Sequence, residues 1–159
     1  MKQVHIIVAM DENNAIGNKN RIMWDIPEDR AIFKKLTLGN IVIMGRKTWD
    51  SLPAQYKPLP KRTNIIVSKS IQESDGAFVA SSIDEAQRIA QSARGSVFCI
   101  GGAEIYSQMI ELSQYLHISK VKGAYNGDAY FPKLNLSEWK QIGCVKYEKF
   151  THLTYVRVQ

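Results

Sequence analysis

One carboxylate in this sequence stands where a core residue is expected. In Trp24-Asp25-Ile26-Pro27-Glu28-Asp29-Arg30-Ala31-Ile32-Phe33, Pro27 suits the first turn of a helix. Its missing N–H costs nothing there, and it biases Ile26 towards an extended backbone. The helix is predicted to run to about Thr37 and to stop before Gly39. At roughly 100° per residue, Ile32, Phe33 and Leu36 share one side, and Asp29 falls near its middle. A buried carboxylate must find a hydrogen-bond partner, stay neutral or look into a cleft. Acids are also favoured in first turns by the helix dipole, which accounts for Glu28 entirely. For Asp29, position alone leaves the two readings level.

Three further groups of residues could hold an anion. The apolar run Ile41-Val42-Ile43-Met44 ends at Gly45-Arg46-Lys47-Thr48, and a helix is expected over residues 49–52. A second run, Ser96-Val97-Phe98-Cys99-Ile100, breaks at Gly101-Gly102 before a helix from Ala103 to about Leu112. Strand–glycine–helix junctions present backbone N–H groups to phosphate, and glycine lets a ligand approach closely. Neither junction is the G-x-G-x-x-G dinucleotide fingerprint, so an ordinary Rossmann assignment is unsupported. Arg62 follows the stiff Pro58-Leu59-Pro60 segment and suits a bidentate carboxylate contact. Without further information, a solvated surface arginine is the preferred reading.

The elements that must position these groups follow from the rest of the chain. Its 159 residues suffice for one domain with a substantial core. Val4–Met10 reads as a buried strand rather than a signal peptide, and no apolar run is long enough to span a bilayer. Cys99 and Cys144 lack metal-ligand spacing and suit reduced thiols in the cytoplasm. The net charge of +6 is dispersed, which favours a small phosphorylated or carboxylated ligand over a nucleic-acid groove. Residues 11–26 show no periodicity and read as a lid or binding loop. Further strands are expected over residues 64–67, 77–80 and 115–121, with a helix capped by Ser81 or Ser82 running to about Ser92. Residues 123–132 form a turn-rich link, and stretches near 142–147 and 153–158 pair antiparallel. The sum is a three-layer α/β fold with about four helices. Its central sheet is mostly parallel, with about eight strands and an antiparallel C-terminal edge. Ligands in such folds sit at the carboxyl ends of strands, which brings Met10, Gly45, Ser68 and Gly101 towards one cleft.

Taken in order, these motifs resemble the dihydrofolate reductases of the bacterial chromosomal type. The likeness runs through Ala15-Ile16-Gly17, Trp24 to Asp29 with Phe33, Ile43 to Trp49, and Pro58-Leu59-Pro60 with Arg62 and Asn64. It continues through Ile100-Gly101-Gly102-Ala103-Glu104-Ile105-Tyr106 and Gly127-Asp128 ahead of Phe131-Pro132. The resemblance implies NADPH-dependent reduction of 7,8-dihydrofolate to tetrahydrofolate in one-carbon metabolism. It makes Asp29 the acid that binds the pterin and favours protonation at N5, with Trp24 as its catalytic neighbour. Ile7, Met10, Arg30, Phe33, Leu52, Lys57, Leu59, Arg62, Ile100 and Ser119 would meet the substrate. Arg62 would clamp the glutamate α-carboxylate, and Ser119 would fix Asp29.

For the cofactor, the resemblance implies a mobile lid over residues 14–21, including Ala15, Ile16, Gly17, Asn18 and Arg21. Ala9 and Ile16 would contact the nicotinamide carboxamide. Gly45, Arg46, Lys47, Thr48, Ser68, Lys69 and Ser81 would serve the phosphates, including the 2′-phosphate that separates NADPH from NADH. Gly101, Gly102, Ala103, Glu104, Ile105 and Tyr106 would meet the pyrophosphate and nicotinamide. The family often has a cis peptide at this glycine pair. No metal, membrane or nucleic acid is expected; antifolate inhibitors are, and the chain is expected to be a monomer. Three positions depart from the family pattern: Met23 replaces a proline, Ala103 a glycine, and Arg30 an apolar or amide residue beside the benzoyl group. Arg30 either packs its stem on the ring or is a solvated rim arginine. Two other readings compete: a pyrimidine reductase of riboflavin synthesis, and a non-catalytic NADPH- or RNA-binding protein on the same fold.

Overall fold

The computed structural model describes residues 2–158. In chain order the elements are β1 (Val4–Met10), β2 (Ala15–Gly17), α1 (Pro27–Thr37), β3 (Ile41–Gly45), α2 (Arg46–Ser51), β4 (Thr63–Val67) and β5 (Phe78–Ala80). They continue with α3 (Ile83–Gln91), β6 (Val97–Cys99), α4 (Ala103–Met109), β7 (Tyr115–Val121), β8 (Ala129–Tyr130), β9 (Trp139–Lys146) and β10 (Phe150–Arg157). The main sheet has eight strands in the order β5-β4-β3-β6-β1-β7-β10-β9. The first six run parallel, and β10 lies antiparallel to both β7 and β9.

Continuous apolar strands need cover on both faces, and the helices divide accordingly. On one face Ile6, Val8 and Met10 pack with Ile83, Ala86 and Ala90 of α3 and with Ile105 and Met109 of α4. On the other, Ile7, Val42, Met44 and Phe98 pack with Trp49 of α2 and Phe33 and Leu36 of α1. That gives three layers, each face burying side chains at about 1.5–3 kcal/mol apiece.

Helix α1 begins with Pro27 in its first turn, after an extended Ile26 at φ −121°. Glu28 and Asp29 lie at its positive end and Lys34 and Lys35 at its negative end, so both ends complement the dipole. Gly39 follows at φ +78°, a conformation that glycine adopts without strain.

The sequence expectations need three amendments. Helix α2 opens at Arg46 rather than Trp49, with Gly45 as its N-cap. The stretch 11–26 holds a short strand, β2, which pairs with β8 in the link expected to be all turns. The last turn expected of α4 is a separate 3-10 turn at Ile110–Leu112.

Candidate active site

Asp29 sits half-buried at the start of α1, facing the middle strands of the sheet. Ser119 of β7 donates its hydroxyl to Asp29 Oδ1 at 2.5 Å. Ser119 is itself buried and stands beside Ala9 of β1 and His152 of β10 in strand register. Burial raises the Asp29 pKa above the usual carboxylate value, while the Ser119 hydrogen bond and nearby His152 pull it back.

Phe33, one turn along α1 from Asp29, joins an apolar cluster. Ile7, Leu59, Phe33, Leu52 and Ile100 belong to one cluster, so five of the residues assigned to the substrate by resemblance come together. Met10 does not join them. Side chains alternate along a strand, so Met10 points to the opposite face from Ile7 and packs in the other core cluster.

At the far end of α1, Arg62 Nη1 donates to Thr37 Oγ1 at 3.1 Å and Nε to the Pro60 carbonyl at 2.9 Å. Buried Asn64 bridges the Leu59 N–H and carbonyl and fixes the turn that carries Arg62. Lys57 has other partners: its Nζ reaches the Asp50 carbonyl and lies over the Trp49 ring. Arg30 forms an ion pair with Asp25, and both side chains are exposed. Trp24 meets Tyr125 edge-on at 5.3 Å. It also lines a cavity of about 460 Å³ with Lys122, Glu148 and Lys149, to which Asp29 does not contribute.

The two glycine junctions lie side by side. The Gly45 N–H donates to the Gly101 carbonyl at 2.9 Å. Gly102 caps α4 without a side-chain partner, and a Cβ there would meet only Thr48 Oγ1 at 3.8 Å, so the space above it is open. The Gly101–Gly102 peptide is cis, and Gly101 has φ +108° over the Tyr106 ring. Ile105 and Tyr106 are buried, and the Tyr106 hydroxyl donates to the Ile7 carbonyl at 2.9 Å. Ala103 is half-buried and Glu104 exposed. Around this opening Arg46, Lys47 and Lys69 are exposed. Arg46 holds Ser70, which in turn bonds Ser68. Ser81 lies further along, bonded to Glu85. Cationic and hydroxyl donors over open glycine backbone fit a polyphosphate group.

Residues 14–21 are tied to residues 123–131. Asp11 accepts from the Asn13, Ala15 and Tyr125 N–H groups. Asp128 Oδ2 accepts from the Lys19 N–H, and Asn18 donates to the Asn126 carbonyl. Asn14, Lys19 and Asn20 have positive φ, which asparagine tolerates better than most residues. Ile16 packs on the core, whereas Arg21 is exposed.

Residues 3–157 match the sequence profile described as dihydrofolate reductase. The chain belongs to the dihydrofolate reductase family. It is 44% identical to the dihydrofolate reductase of Neisseria meningitidis serogroup A, across 89% of this chain and 86% of that one. It is 38% identical to that of Bacillus subtilis, across 87% and 81% of the two chains. A solved dihydrofolate reductase from Enterococcus faecalis, complexed with NADP(H) and RAB-propyl, superposes with a TM-score of 0.87 at 27% identity, covering 99% and 97%. Three site neighbours escape a reading of the sequence: Thr37, Asp11 and His152. Thr37 is readable only as a helix end. Asp11 looks like an ordinary loop acid. His152 faces Ser119 only because of the β7–β10 register.

Proposed function

We propose that this chain reduces 7,8-dihydrofolate to 5,6,7,8-tetrahydrofolate with NADPH, as a one-domain monomer in the cytoplasm. The observation that carries the site assignment is the half-buried Asp29 carboxylate, backed by Ser119 and one helical turn from Phe33, which joins a wall of Ile7, Leu52, Leu59 and Ile100. A carboxylate has about four lone-pair positions, so Asp29 can keep Ser119 and still accept from the pterin N3–H and 2-amino group. Its negative charge favours a proton at pterin N5, which the reduction consumes. Trp24 excludes water on the loop side, and Arg62, steadied by Thr37 and Pro60, clamps the glutamate carboxylate.

NADPH, when bound, supplies the hydride. Gly45, Gly101, Gly102 and Ala103 would receive its pyrophosphate, and Arg46, Lys47, Thr48, Ser68 and Lys69 its remaining phosphates. Ala9, Ile16 and Tyr106 would border the nicotinamide, and residues 14–21 would cover it. The same wall and carboxylate would take antifolate inhibitors. The test is loss of NADPH absorbance on adding dihydrofolate to purified protein, with NADH in a parallel reaction. Fast turnover with NADPH and a large preference over NADH is expected. A folded protein that binds NADPH but never oxidises it with dihydrofolate would overturn the proposal.

A further inference from the structure

Ser119 has one hydroxyl proton, and that proton is committed to Asp29 Oδ1 at 2.5 Å. Its second close partner is His152 Nδ1 at 3.2 Å. With its proton spent, Ser119 can only accept from the histidine. The imidazole must therefore carry hydrogen on Nδ1, and the chain of donors runs from His152 through Ser119 to Asp29. We infer that His152 is a positioning residue for Asp29: it holds and polarises the Ser119 hydroxyl and so sets how readily the carboxylate ionises. Successive hydrogen bonds strengthen one another where water is scarce. The inference deepens the reading of Asp29 as the pterin-binding acid and rests on it.

The surroundings leave His152 free to act on this side. It lies on β10, half-buried, with Ser119 opposite on β7 and Val145 opposite on β9. The titratable groups that face it are Asp29 from α1 and His117 from β7, whose ring stacks at 6.3 Å. His117 in turn bonds His5 at 2.9 Å, and burial holds both of those rings at a pKa of about 4. Both rings are therefore neutral above that value. Asp29 is the one charge that stabilises a His152 cation, and burial opposes it.

The direct test follows the Asp29 carboxyl carbon by NMR through a pH titration of the wild type, His152→Phe and His152→Asn. Phenylalanine removes both donor and charge. Asparagine can place an amide N–H near the position of Nδ1 but carries no charge. The Asp29 midpoint is expected to rise by about half a unit in His152→Phe, with part of the rise recovered in His152→Asn. The pH profile of turnover should move the same way. An unchanged or lowered midpoint in His152→Phe overturns the inference. Equal rises in both variants also overturn it, since charge alone would then act. Asp29→Asn is assayed alongside: if it turns over normally, the reading of Asp29 fails, whatever His152 does.

Discussion

A carboxyl group at Asp29 gives up its proton less readily than one in water, because burial strips away part of its hydration. What keeps it ionisable is the Ser119 hydroxyl. Ser119→Ala should raise the Asp29 midpoint and weaken dihydrofolate binding about tenfold, the worth of one hydrogen bond to a charged group. A KM series with direct binding by fluorescence checks this, and an unchanged KM would count against it. Arg62 acts at the other end of the substrate. Arg62→Leu is expected to raise KM roughly 10–100-fold while kcat changes little, the mark of binding shared by ground and transition states. A pteridine substrate lacking the glutamate should be indifferent to the change; equal losses on both substrates would disprove the clamp.

Among the elements, the loop of residues 11–26 depends on a second loop far away in sequence. Gly127 lies against it so closely that a Cβ there would stand 2.6 Å from the Gly17 carbonyl. Asp128 and Asn126 supply the adjoining hydrogen bonds. Gly127→Val should therefore push the two loops apart. Turnover is expected to fall about tenfold, amide exchange to quicken over residues 15–20, and global stability to change by only about 1 kcal/mol. Protection left intact over those residues would refute the tie. This pairing also shows where the sequence stops being readable. Strands β1 and β3 announce themselves because they are buried on both faces and nearly continuously apolar. Strands β2 and β8 have three and two residues, and only their mutual contact makes them strands. Asp29 stood out as a charge on an apolar helix face. Met10 misled because it adjoins the site in sequence while strand alternation sends it to the other side of the sheet.

Across the whole molecule, two opposite proton linkages shape stability. His5 and His117 are held neutral, with pKa values lowered from 6.5 to about 4. The unfolded chain binds protons below pH 6.5 that the folded pair refuses, so this contribution is complete above 6.5 and lost as pH falls towards 4. Replacing both by phenylalanine should flatten the fall in denaturation midpoint over that window; an unaltered slope would argue against the linkage. Asp29 has the reverse sign. Its pKa is raised from 3.8, so its contribution is complete below 3.8 and lost as pH rises through the folded value. Ionising the group is therefore a cost to the fold, one that a purely structural residue would have no reason to carry. The decisive measurement is therefore Asp29→Asn, taken for turnover and thermal stability in the same preparation at neutral pH. Hydride transfer to dihydrofolate should drop about 10²–10³-fold while the melting temperature rises. Full activity in a folded Asp29→Asn protein would contradict the assignment of Asp29 as the acid that binds the pterin.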